Sequence, residues 1–231
     1  MGSSQWTEAA SGLASSIIRR GATAAIERPN GGGDHLYGFA SVNADDGAVA
    51  LYANQAGFSP MASGCSVRGA VRRGPATGFA PFLFAGLQGT TVANQAYMLG
   101  LADGDPARII LVKAALTAGL ADAAPNPPSN AVLMRSAGAV PSGTWVHLRL
   151  DVIVQGTGDV FLKCYESNLD DNPVTSPVWT EIAGMELFVD DVLGVNTGTV
   201  PLVGGRAGKG IESGVSGAQV WFDHLEVSRQ V

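Results

Sequence analysis

The chain has 231 residues and a net charge of −6, with 46% apolar residues, 31 glycines and only 15% charged residues. That length suits one large β-sandwich with a buried core and leaves little room for a second full domain. The acidic balance excludes general nucleic-acid binding, which needs a basic face to displace counterions from phosphates, and no apolar run reaches the roughly 18 residues that cross a bilayer as a helix.

Residues 1–16 are small and polar around Trp6 and read as an N-terminal arm. An alanine-rich helix over 7–18 is the competing possibility, weakened by Gly12 and the serine pair. The first strand is expected over 17–27, and the cluster Arg28-Pro29-Asn30-Gly31-Gly32-Gly33-Asp34 turns the chain. Strands follow over 35–42, 48–54, 66–73, 79–87 and 96–102, each bounded by Gly, Asp, Asn or Pro. A spacing of about ten residues between short strands argues for an all-β sandwich. After the turn Gly104-Asp105-Pro106, residues 108–115 (RIILVKAA) read as a buried strand, and 116–124 leave room for a helical turn. Ala124-Pro125-Asn126-Pro127-Pro128-Ser129 holds too much proline for either and reads as an exposed loop. With no internal repeat and no long linker, 17–231 reads as a single domain.

The clearest pattern lies over 144–166. Val146, Leu148, Leu150, Val152 and Val154 alternate with Trp145, His147, Arg149, Asp151 and Ile153. In the next strand Val160, Leu162 and Cys164 alternate with Phe161, Lys163 and Tyr165. Closing the hairpin through Gly156-Thr157-Gly158 sets Val152 opposite Leu162, Asp151 opposite Lys163 and Arg149 opposite Tyr165. That register gathers the aliphatics on one face and predicts an Asp151–Lys163 ion pair on the other; a slip of one residue destroys both. Trp145, His147, Arg149, Asp151, Lys163 and Tyr165 are therefore the candidate ligand-binding face, with Phe161 beside them. Aromatic rings next to directional polar groups suit a sugar or a protein surface, but such a face can equally pack under a loop.

Near the C-terminus, Val220 and Phe222 share one parity while Leu225 and Val227 share the other. This predicts a β-bulge at Asp223-His224, with Asp223 capping its amides. The basic pairs Arg19-Arg20 and Arg72-Arg73 read as solvated strand ends. Cys65 and Cys164 do not make a disulfide framework and are expected as reduced thiols, with Cys164 buried as a small apolar residue.

The chemistry of a site is harder to find. Glu181 and Glu186, and Glu186 with Asp190-Asp191, have the wrong spacing for the paired carboxylates of a glycosidase. His35, His147 and His224 are scattered, no serine elbow is present, and neither zinc spacing nor a phosphate loop occurs. Structural calcium is the remaining possibility, at Asp103 and Asp105 or at Asn168-Leu169-Asp170-Asp171-Asn172. No catalytic, metal or cofactor residue is assigned.

Five stretches resemble the concanavalin A-like lectin/glucanase superfamily, which includes laminin-G-like jelly rolls. They are Tyr97-Met98-Leu99-Gly100-Leu101, Ile109-Ile110-Leu111-Val112-Lys113, and Gly143-Thr144-Trp145-Val146-His147-Leu148-Arg149-Leu150. The last two are Gly205-Arg206-Ala207-Gly208-Lys209-Gly210 and Val220-Trp221-Phe222-Asp223-His224-Leu225-Glu226-Val227. The resemblance covers about 96–227 and implies an antiparallel two-sheet jelly roll with an N-terminal arm. The fold hosts lectins, glycosidases, adhesion modules and virion proteins alike. With no recognisable signal peptide, low charge and no catalytic motif, the expectation is a non-enzymatic attachment or capsid-decorating component of a tailed bacteriophage particle. It would be made in the host cytoplasm, bind other virion proteins, form a homo-oligomer and face a host glycan or receptor. The alternative is a stand-alone lectin-like protein or a glycoside hydrolase.

Overall fold

The computed structural model describes residues 63–74, 78–167, 177–213 and 219–229, together with strands at 6–10, 15–20, 36–41 and 47–53. The strands in chain order are β1 (Trp6–Ala10), β2 (Ser15–Arg20), β3 (Leu36–Ser41), β4 (Gly47–Ala53), β5 (Gly64–Arg73), β6 (Phe79–Leu87), β7 (Gln95–Leu101) and β8 (Ala107–Ala115). They continue as β9 (Val132–Val140), β10 (Trp145–Val154), β11 (Val160–Ser167), β12 (Trp179–Glu181), β13 (Phe188–Asp190), β14 (Arg206–Ser213) and β15 (Gln219–Arg229). A seven-stranded sheet runs β1-β4-β14-β6-β7-β8-β9, and an eight-stranded sheet runs β12-β11-β10-β5-β15-β3-β2 with β13 also on β11. All the strand pairings are antiparallel, so the chain is the two-sheet sandwich that its strand rhythm implies.

The main core lies between the sheets. Val67, Val71, Leu148, Leu150, Leu162 and Phe222 of the eight-stranded sheet meet Leu83, Tyr97, Leu99 and Leu111 of the other. A second apolar layer sits on the far side of the seven-stranded sheet, where Phe82, Phe84, Met98, Ile110 and Val112 are covered by Val92, Leu116 and Leu120. A strand buried on both faces reads as an unbroken apolar run. This explains FAPFLFAGL in β6, buried at every position, and RIILVKAA in β8. Gly100 is required where β7 passes β6, because a Cβ there would lie 2.1 Å from the Pro81 carbonyl oxygen.

The structure departs from expectation at the ends and edges. Within the stretch read as an arm or helix, Trp6–Ala10 is a strand paired with β4, from Trp6 opposite Ala53 to Ala10 opposite Val49. The next strand begins at Ser15 rather than at 17. The helical turn is a short 3₁₀ segment, Leu116–Ala118. Strands β9, β12 and β13 were not anticipated. The segment between the last two closes one side of the sandwich: Ile182 and Met185 enter the core, and the Ala137 N–H donates to the Ala183 carbonyl at 2.9 Å.

The bulge in β15 lies where parity places it, with its register against β5 shifting between Asp223 and Glu226. Leu225 and Val227 thereby pack on the same core as Val220 and Phe222. The capping role expected of Asp223 lies outside the described side chains, as do Arg19 and Arg20. Arg73 is not a solvated strand end. It is buried between the sheets, donating to the carbonyls of Ala102 and Gly104 with its guanidinium 5.7 Å from the Phe79 ring, and burial holds its pKa below the ordinary arginine value.

Candidate functional site

The β10–β11 register is the expected one: Arg149 opposite Tyr165, Asp151 opposite Lys163 and Val152 opposite Leu162. The aliphatic positions Val146, Leu148, Leu150, Val152, Val160, Leu162 and Cys164 enter the core. The other parity therefore faces outward, carrying Trp145, His147, Arg149, Asp151, Phe161, Lys163 and Tyr165. Burial along this face is uneven. His147 and Asp151 are closed over at 1% and 4% exposure, whereas Trp145, Arg149, Lys163 and Tyr165 are half-buried.

What covers His147 is the short strand β12, whose first residue, Trp179, pairs in register with Ser167. The Trp179 ring lies 4.7 Å from the His147 ring. The Arg149 guanidinium lies over two aromatic rings, 5.1 Å from the centre of Tyr165 and 5.8 Å from that of Trp179. Such contacts strengthen when they are partly desolvated.

The Arg149 fork also donates to Asp151, Nε to Oδ1 at 2.7 Å and Nη2 to Oδ2 at 2.5 Å. The ion pair of Asp151 is thus with a neighbour on its own strand, not the cross-strand partner Lys163 expected from the register. A planar fork matches both carboxylate oxygens at once, which a lysine ammonium cannot do. The hydrogen bond to Asp151 raises the Arg149 pKa above its ordinary value. Tyr165 is raised mainly by burial, with the Asp151 charge adding to it.

The face continues onto the next two strands. Trp145 pairs with Arg72 of β5, which pairs with Trp221 of β15, and the Arg72 guanidinium lies 5.6 Å from the Trp221 ring. Two rows along the same face, Arg149 faces Arg68 and Arg68 faces Glu226, with which it forms an ion pair. Sequence reasoning assembled the β10–β11 part of this face and missed Arg68, Arg72, Trp179 and Trp221. Trp221 carried a signal, since its parity is opposite to that of the inward Val220 and Phe222.

The remaining candidates resolve into local roles. Asp103 accepts from the Gly78 N–H at 2.6 Å, and Asp105 accepts from the Ser142 N–H and hydroxyl at 3.1 and 3.0 Å. Among the described residues no group of three or more His, Cys, Asp or Glu could hold a metal ion; the 168–172 loop lies outside them. Glu181 is exposed on β12, and Glu186 accepts from the Gly184 N–H at 3.0 Å, which holds its carboxyl below the usual range. Cys65 and Cys164 are free and buried, with burial pushing the Cys65 thiol up to about 12 and raising Cys164 as well.

A second polar cluster, unforeseen, ties the sheets together. Asp190 at the end of β13 is fully buried and forms an ion pair with Lys113 of β8 at 2.7 Å. It also accepts from the Tyr97 hydroxyl at 2.5 Å and the Thr197 hydroxyl at 2.8 Å. The Lys113 ammonium donates further to the Thr197 hydroxyl and to the carbonyls of Thr199 and Val200, at 3.0, 3.1 and 2.8 Å.

Comparison with protein-family models finds no match, and comparison with curated protein sequences finds none either. Solved structures of similar fold do exist. A protein of unknown function from Shewanella oneidensis MR-1 is 9% identical with a TM-score of 0.52, over 96% of this chain and 85% of that one. The metal-free carbohydrate recognition domain of Emp46p is 14% identical with a TM-score of 0.49, over 99% and 89%. A legume lectin-like domain from Entamoeba histolytica is 9% identical with a TM-score of 0.48, over 98% and 91%. At such identities the likeness concerns the fold alone.

Proposed function

We propose that this chain is a non-catalytic binding module that holds a glycan against the outer face of its eight-stranded sheet. The observation that carries the reading is the cluster of Trp179, Arg149 and Tyr165, in which Arg149 is held by two hydrogen bonds to Asp151. Aromatic faces accept the C–H face of a pyranose, and donors at their edges accept its hydroxyls. Rings already held in place lose little freedom when a ligand arrives. Both oxygens of Asp151 are taken by Arg149, so the buried carboxylate of the face serves positioning rather than proton transfer. Arg72 has no carboxylate partner among the described residues and lies beside Trp221, which favours a sugar that itself carries a carboxylate.

The test is a glycan array comparing the wild type with Trp179→Ala and Tyr165→Ala, with oligosaccharide hydrolysis assayed alongside. Retention of acidic glycans by the wild type, lost in both variants at unchanged fold and without cleavage, is the expected result. A wild type that retains nothing sinks the reading. A finer proposal places the module on a bacteriophage particle among other virion proteins, supported by the low charge and small-residue composition of the chain. Mass spectrometry of purified particles decides it, and absence from them removes it.

A further inference from the structure

The large apolar side chains that the described residues leave exposed all fall within residues 178–203, and five of them, Val192, Leu193, Val195, Val200 and Val203, lie on the loop after β13. Leu193 is 84% exposed and Val195 69%. A loop that exposes so much apolar surface is ordinarily mobile, yet this one is built.

Asp191 accepts from the Val195 and Asn196 N–H groups at 3.0 and 2.7 Å. The Gly198 N–H donates to the Gly194 carbonyl at 2.8 Å. Gly194, at φ +70°, packs so closely that a Cβ would lie 3.1 Å from the Thr199 backbone. Beneath them the Lys113 ammonium gathers Asp190, Thr197, Thr199 and Val200. The apolar side chains are thus presented on a preformed surface, which lowers the ordering entropy of an association.

We infer that this loop is a self-association surface whose occupant is the same loop of a second copy of the chain. Two features select the copy over another partner. Residues 192–203 contain no Asp, Glu, Lys, Arg or His in a chain of net charge −6, so two copies meet here without the like-charge repulsion that the rest of an acidic surface would impose. The area reaches the lower bound of a specific interface: the five residues expose on the order of 500 Å², so a two-fold pairing that covers them all buries at most about 1,000 Å².

The experiment is sedimentation equilibrium of the full chain over a concentration series, with Leu193→Asp and Val195→Asp measured beside the wild type. Circular dichroism and thermal unfolding confirm that each variant is folded. The expected result is a wild type that rises to twice the chain mass, and variants whose dissociation constant is raised at least about tenfold. Gly194→Ala, which strains the loop without touching its apolar side chains, weakens the dimer in the same direction. A wild type that stays monomeric to the solubility limit overturns the inference. So does an oligomer whose mass is unchanged by both aspartate substitutions, or one of another order.

Discussion

The two sheets turn opposite characters outward. Over β6, β7 and β8 the seven-stranded sheet is sealed on its far side by Phe82, Phe84, Met98, Ile110 and Val112 under Val92, Leu116 and Leu120. The eight-stranded sheet shows half-buried Trp145, Tyr165, Trp179 and Trp221 interleaved with Arg68, Arg72 and Arg149. The sealed layer and the proposed binding face thus lie on opposite outer sides of the sandwich, with the main core between them. Substitutions on the sealed side should act on folding, and those on the aromatic side on binding.

Phe84→Ala tests the first half. Removing a buried ring on the sealed side is expected to destabilise the fold by about 3–5 kcal/mol in denaturant unfolding while leaving glycan retention intact. A loss near zero would mean that this side is not a second core. Lys113→Met strands the buried Asp190 charge and is expected to cost about 3–5 kcal/mol by the same measurement. Replacing both partners with apolar residues should recover much of that loss, which separates the ion pair from the packing around it.

The buried thiols give a pH dependence. Below pH 9 both are protonated, folded or unfolded. Between pH 9 and about 12 the unfolded chain ionises Cys65 while the folded chain keeps its proton. Unfolding is then favoured by up to about 1.4 kcal/mol per pH unit for each such thiol. Unfolding titrations on Cys65→Ala and Cys164→Ala variants should flatten this alkaline slope. On the aromatic side, Trp179→Ala should cost only about 1 kcal/mol of stability yet abolish retention on immobilised glycan, the reverse of Phe84→Ala. Smallest of all, Arg68→Gln opens a half-exposed ion pair with Glu226 and should change stability by no more than about 0.5 kcal/mol.

Much of this contrast was legible in the amino-acid order, and the gaps have physical causes. The β10–β11 register follows from strict alternation, because a one-residue slip would turn Leu148, Leu150 and Leu162 to the outside. Strand β8 was legible as a continuous apolar run, which fits its burial on both faces, whereas β6 was placed by strand spacing alone. Strand β9 escaped because its second half, Ala137-Gly138-Ala139, is exposed and lacks large side chains, and its pairing with β8 shifts register twice. Strands β12 and β13 have three residues each, too short for any period to appear, so Trp179 could not be placed over His147. The Asp151–Lys163 pairing had the right register and the wrong partner, since a register fixes neighbours but not which cation wins a carboxylate. Lys113 held an unread clue: a lysine inside RIILVKAA needs an anion nearby, and Asp190 supplies it across the sandwich.

That lysine has one more consequence. Loops that gather several oxygens around a centre commonly draw a dissolved ion to do it. Here the positive charge among Asp190, Thr197, Thr199 and Val200 is covalently part of the chain. The loop after β13 therefore takes its shape once, as the protein folds. With those oxygens already engaged by the Lys113 ammonium, a chelator is expected to leave the form of this loop unchanged.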